Sequence, residues 1–308
     1  MDLSRIAPEL HAPMRKVPHL PLGNRFALRL LRLLSRVMMP AAKLPDTVTL
    51  DVPRRTTPPL RVYRPVTQRS DAALFWIHGG GYMIGTARQD DRLCGEVCAA
   101  LGLTVVSVDY RLAPDHAFPA PAEDCLAGWS WLQRSAAARG IDPTRVVVGG
   151  QSAGGGLAAG LVLRLRDAGG VQPLGQWLLA PMLDDRTAAR SELDAIDHRV
   201  WNNRLNRIGW RAFLGREPGS ASVSPYAAPA RRDDLTGLPQ TWIGVGAVDL
   251  FHDEDQLYAT RLRQAGVETS FDVTAAAPHG FEAWGSDTEI ARGYITRAIA
   301  WLGSIVAR

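Results

Sequence analysis

The sequence predicts an α/β fold built on a mostly parallel sheet that is buried on both faces. Three observations carry that reading. Short apolar, β-branched runs alternate with stretches of helical periodicity along most of the chain, as strands joined by crossover helices do. The first two strand-like runs, 47–52 and 60–64, are close enough in sequence to pair as a hairpin, which confines the antiparallel part to the start. One serine, Ser152, stands where such a strand turns into a helix, with Gly150 before it and Gly154 after it.

In chain order, residues 1–22 carry Pro8, Pro13, Pro18 and Pro21 and read as extended. Over 24–39, Leu28, Leu30, Leu31, Leu34 and Met38 fall at helical spacing, with Arg25, Arg29, Arg32 and Arg36 on another face. A basic amphipathic helix can lie on a membrane surface. The expectation here is the commoner arrangement, an apolar face packed on its own protein. Pro40 and Pro45 then break the chain. Strands follow at Thr47 to Val52, Leu60 to Arg64, Ala73 to Ile77, Thr104 to Val108, Arg145 to Val148, Trp177 to Ala180, Thr241 to Val245 and Thr269 to Val273, eight in all. Helical patterns over 90–101, 121–138, 153–168 and 253–265 separate most of them. Residues 184–218 break the rhythm: they are polar, carry Trp201, Trp210 and Phe213, and stand where a short loop would suffice. They are expected to be an insertion of the lid type.

At 308 residues the chain is one large domain or two small ones. The net charge of +4 is unevenly placed: residues 1–45 hold eight Lys/Arg against two Asp/Glu, and the remainder 27 against 29. The basic character therefore belongs to the N-terminal arm. With no basic stripe interleaved with aromatics, nucleic acid is not an expected partner. Three cysteines are too few for a disulfide framework. Cys94 and Cys98 lack Cys or His partners at ligand spacing, so buried thiols are expected and no metal. No leader pattern and no apolar run of membrane-spanning length stand out, and the expected location is cytoplasmic.

Gly150-Gln151-Ser152-Ala153-Gly154 has the form of a nucleophile elbow, a sharp strand-to-helix turn whose glycines let two backbone segments approach. A serine hydroxyl needs a base. In this class of turn the acid and then the histidine follow the serine, which leaves His198, His252 and His279 and sets aside His11, His19, His78 and His116. His279 stands in a loop after the last strand, where a base can reach the turn. Asp249 is the first carboxylate past the strand ending at Val245. Asp253, Glu254 and Asp255 are rivals, but their place in a helix's first turn has its own electrostatic reason. The expected oxyanion donors are the N–H of Ala153 and those of Gly80 and Gly81, in His78-Gly79-Gly80-Gly81-Tyr82.

Taken together these stretches resemble the hormone-sensitive-lipase-like family of α/β-hydrolases, the bacterial family IV esterases. His78 to Tyr82 matches its oxyanion motif. Asp109 to Ala120 matches its Y-R-L-A-P-E-H block, with Asp115 for the usual Glu. Gly150 to Gly155 matches G-D-S-A-G-G, with Gln151 for the usual Asp. Asp249 to Glu254 and His279-Gly280-Phe281 match its acid and histidine loops. The resemblance spans roughly residues 45–308. It implies an α/β-hydrolase fold: a mostly parallel eight-stranded sheet with helices on both faces and a helical cap. An N-terminal cap segment, 1–45, and the 184–218 insertion would form the cap, and 46–308 the catalytic domain. It further implies a carboxylesterase for short- to medium-chain acyl esters of small molecules, using Ser152, His279 and Asp249, without cofactor or metal, and often a homodimer. Tyr82, Trp201 and Trp210 are candidates to line the substrate pocket. An acyltransferase shares the same residues. A non-catalytic receptor, such as the plant gibberellin receptors, resembles the family but lacks the working histidine, and His279 argues against it. A membrane-bound lipase using the Arg-rich helix is a further alternative.

Overall fold

The computed structural model describes residues 2–18, 21–38 and 42–307; His19 and Pro40, named above, lie outside them. The eight apolar runs form one sheet: β1 (Val48–Asp51), β2 (Leu60–Pro65), β3 (Ala73–Ile77), β4 (Thr104–Val108), β5 (Val146–Gln151), β6 (Gly175–Leu179), β7 (Thr241–Gly246) and β8 (Thr269–Thr274). Their spatial order is β1-β2-β4-β3-β5-β6-β7-β8. β1 and β2 pair antiparallel, with Val48 opposite Pro65, and β2 pairs antiparallel with β4. Every other pairing is parallel. β3, β4, β6 and β7 are buried at every residue, which is why they read as unbroken apolar runs.

Alternate residues of each strand feed two cores. Phe75, Ile77, Val106 and Val148 face α4 (Ala120–Ser135), α5 (Ala153–Ala168) and α8 (His252–Gln264). Leu74, Trp76, Val105 and Val147 face α3 (Asp91–Leu101) and α10 (Glu289–Val306). Cys94, Cys98 and Cys125 are buried thiols in these layers.

The N-terminal arm departs from expectation in two ways. Residues 1–22 are not extended throughout: α1 runs Pro8–Met14 and buries Leu10 and Met14 in the second core. Pro8 sits in the first turn, where a missing N–H costs nothing, so a proline there starts a helix instead of preventing one. α2 (Arg25–Met38) forms as read, started by Asn24, whose Oδ1 accepts from the N–H groups of Phe26 and Ala27. Its apolar stripe divides. Leu28 is buried and Leu31 packs beside it, while Leu30 and Leu34 face solvent; the side chains of Arg36 and Met38 lie outside the described set.

The 184–218 stretch holds α6 (Asp185–Ala189) and α7 (Asn203–Leu214). Asn202 caps α7 by accepting from Leu205 N–H, and Gly215 ends it in the left-handed region. Trp210 and Phe213 turn inward onto Tyr82. A short α9 (Phe281–Trp284) leads from β8 toward α10. Among the described residues, no helix is long and apolar enough to cross a membrane.

Candidate active site

Ser152 stands between β5 and α5 at φ 54°, ψ −121°, a strained conformation for a residue with a Cβ. The turn is tight enough to demand glycine on both sides. A Cβ on Gly150 would lie 2.3 Å from the Gly154 carbonyl oxygen, and one on Gly154 would lie 2.1 Å from that of Ile77. Backbone atoms cannot yield to such contacts, so the spacing seen in the sequence is steric in origin.

The parallel topology brings the loops after β3, β5, β7 and β8 to one edge of the sheet. There the Ser152 hydroxyl donates to Nε2 of His279 at 2.9 Å, and His279 Nδ1–H donates to Oδ2 of Asp249 at 2.8 Å. Asp249 Oδ1 also accepts from the Phe251 N–H at 2.9 Å. With Nδ1 protonated toward Asp249, the free lone pair of Nε2 faces the serine. Burial disfavours the charged imidazolium, but the Asp249 carboxylate, with Glu282 beyond it, more than offsets this, and His279 is held above its ordinary pKa. Trp284 Nε1–H donates to the His279 carbonyl at 2.9 Å and steadies the loop.

The rival residues stand outside this chain of hydrogen bonds. His252 pairs with Asp253 at 2.9 Å. His198 is buried behind Asp249 in a cavity of about 150 Å³. Glu254 accepts from the N–H groups of Leu183 and Asp184, and burial raises its pKa to about 8. Asp255 is buried in α8, where desolvation pushes its carboxyl well up.

The glycine loop after β3 lies against the serine turn: a Cβ on Gly79 would stand 3.0 Å from Gln151 Oε1 and 3.4 Å from Ser152 Cβ. Gly80 and Gly81 take φ of 125° and 57°. Ala153 opens α5, so its N–H has no intrahelical acceptor. His78 braces this loop. Its ring stacks on Tyr110 at 4.2 Å and bonds through Nδ1 to the Gly79 carbonyl, while the Tyr110 hydroxyl donates to the His78 carbonyl at 3.0 Å.

The three aromatic candidates fall in two clusters. Trp201 stands over the loop, its Cη2 at 2.2 Å from where a Gly81 Cβ would be, with its ring 6.4 Å from that of His279. It follows Val200, a β-branched residue at φ 71°. Tyr82 and Trp210, both fully buried, form a second cluster against each other, and Tyr82 stacks on Phe213 at 3.9 Å.

Glu282 escaped the sequence reading. It is buried three residues past His279 and accepts a hydrogen bond from the Gln151 side-chain amide, joining the serine turn to the histidine loop. Burial holds its carboxyl above the usual range. The one sequence signal was the neutral residue at 151, which left open what it bonds to.

Comparison with known proteins agrees with this architecture. A family model described as alpha/beta hydrolase fold matches residues 74–283. The carboxylic ester hydrolase LipN of Mycobacterium tuberculosis is 34% identical over 228 residues, covering 72% of this chain and 60% of that protein. The chain thus spans less than two thirds of that relative's length. The ethyl acetate hydrolase of Pseudomonas putida is 32% identical over 238 residues, covering 76% and 74%. Among solved structures, a bacterial heroin esterase superposes with a TM-score of 0.89 at 35% identity, covering 99% of each chain. An esterase from the bacterial hormone-sensitive lipase family gives 0.80 at 28%, covering 97% of this chain and 99% of that one. A parallel sheet whose carboxyl edge carries a serine turn, an acid loop and a histidine loop defines a class, the α/β hydrolases. The chain belongs to the α/β-hydrolase family, in its hormone-sensitive-lipase-like branch.

Proposed function

We propose that the protein is a serine carboxylesterase that hydrolyses short- to medium-chain acyl esters of small molecules. The observation that carries this is the unbroken chain of two hydrogen bonds, 2.9 Å from Ser152 to His279 and 2.8 Å from His279 to Asp249. The esterase names of relatives and structural neighbours support it. Ser152 Oγ attacks the ester carbonyl while His279 Nε2 takes its proton. Asp249 holds the tautomer and stabilises the imidazolium. The N–H groups of Gly80, Gly81 and Ala153 receive the oxyanion. His279 returns the proton to the departing alkoxide, leaving an acyl-enzyme. Water, deprotonated by the same imidazole, then attacks, and the carboxylic acid and the free serine result.

In this reading residues 1–45 and 184–218 form a cap over a catalytic domain spanning 46–308. Ser152 and His279 are 5% and 6% exposed, so substrate reaches them when cap side chains move aside, Trp201 first among them. The reading extends to a cytoplasmic homodimer, as the family resemblance implies; light scattering measures the mass. The test of function is a hydrolysis profile over p-nitrophenyl esters of increasing acyl length, with Ser152→Ala alongside. Short chains are expected to be the better substrates, and the variant to lose about ten-thousand-fold or more in kcat. Full activity in Ser152→Ala would overturn the mechanism.

A further inference from the structure

α2 has two apolar faces, and the protein covers one of them. Leu28 and Leu31 pack into the core beside Leu22. Arg32 fastens the same side: its guanidinium donates to the carbonyls of Met83 and Ala113 and pairs with Asp115. The opposite side presents Phe26, Leu30, Leu33 and Leu34, which are 78%, 46%, 59% and 41% exposed. Their spacing of i, i+4, i+7 and i+8 makes one stripe, about 12 Å long at the helical rise. Arg25 and Arg29, both exposed, run along one flank of it.

We propose that this face of α2 docks the protein on an anionic lipid surface. A helix with an apolar stripe flanked by arginines lies in the interfacial plane, its apolar side chains among the acyl chains and its cations among the headgroups. Charge selects this occupant over a second copy of the chain. Residues 1–45 carry a net +6 in a chain whose remainder is net −2, so two such faces meeting would set arginine against arginine. An anionic bilayer meets both the stripe and its flank. Because Arg32 anchors α2 to Met83, next to the glycine loop, docking would hold the covered site close to the bilayer, where apolar esters concentrate. Docking itself does not depend on the reaction proposed for Ser152.

The test is co-sedimentation of the full chain with vesicles of phosphatidylcholine alone, and with about one third phosphatidylglycerol added. Binding to the anionic vesicles alone, lost at high salt, is expected. Arg25→Gln with Arg29→Gln should weaken it about twenty-fivefold, at about fivefold per charge. Leu30→Ser with Leu33→Ser should abolish it. Both pairs are exposed, and circular dichroism with thermal unfolding reports whether each variant is folded. A second measurement needs neither. All three native cysteines are buried, so Phe26→Cys takes an environment-sensitive dye at one place, and its emission should shift to the blue on anionic vesicles. No binding, binding indifferent to charge and to both pairs of substitutions, or a dimer in solution that Leu30→Ser with Leu33→Ser dissociates would each overturn the proposal.

Discussion

Gln151→Leu probes the link between the two halves of the site. The Gln151 amide donates to Glu282 across 131 residues of sequence. Leucine keeps most of the volume, removes the donor and leaves a buried carboxyl without that partner. A hydrogen bond to an ionised group contributes about 1.5–3 kcal/mol. Gln151 and Glu282 also line a cavity of about 370 Å³, and water there recovers part of the loss, so the lower end, about 1.5–2 kcal/mol, is expected. The cost depends on pH. Burial raises the folded pKa of Glu282 above its unfolded value, so ionising it already lowers stability as pH rises from the unfolded pKa to the folded one. Gln151 favours the ionised form. Its removal therefore costs little in acid, where Glu282 is protonated, and the full amount at alkaline pH, where it is not. Thermal unfolding should show a Tm lowered by roughly 2–3 °C at alkaline pH and close to unchanged in acid. Because the bond ties the serine turn to the histidine loop, kcat should fall about tenfold with KM nearly constant. Unchanged Tm at both pH values together with unchanged kcat would refute the reasoning.

Asp249→Asn keeps the shape of the acid but loses the carboxylate that sets the His279 tautomer, and kcat should fall about ten-thousand-fold with the fold intact by circular dichroism. In the proposed reaction His279 acts as a neutral base, and its pKa is held up against burial by Asp249 and Glu282; kcat/KM should therefore fall as pH drops through that raised value. Glu282→Gln removes one of the two charges that raise it, so the acid limb of the pH–rate profile should move to lower pH. Trp201→Ala, which empties a buried site over Gly81, should cost about 3–5 kcal/mol in urea unfolding and shift the chain-length profile toward longer acyl groups.

The parallel strands were legible because burial on both faces leaves no polar alternation to confuse with a helix. Their ends were less so: β5 continues through Gly149 and Gly150 to Gln151, where glycines read as turn. The serine turn, glycine loop and histidine loop were legible because each needs residues that nothing else replaces, two of them for steric reasons the backbone distances make plain. α1 was missed because four prolines in 22 residues weigh against a helix unless one of them falls in its first turn. For α2, periodicity identified an amphipathic helix but not which side the protein covers; Leu28 and Leu30 belong to one residue class and to opposite environments. Glu282 carried no signal of its own beyond the neutral residue at 151, since a carboxylate after a histidine motif looks like any surface charge until the chain returns it to Gln151.

A neutral donor before Ser152 suits that return. Glu254, Asp255 and Glu282 are buried near the edge of the sheet where Asp249 bonds to His279. At an effective dielectric near 20, two carboxylates about 4 Å apart repel by about 4 kcal/mol, enough to keep one of them protonated. An aspartate at 151 would face Glu282 in this way, and the shared proton would blur which carboxyl the imidazole senses. The amide avoids that. It satisfies Glu282 as a donor, leaves Asp249 as the carboxylate bonded directly to the imidazole, and keeps a second negative group near enough to His279 to raise its basicity. The acid absent at 151 has a counterpart in Glu282 on the histidine loop, and Gln151 donates to it.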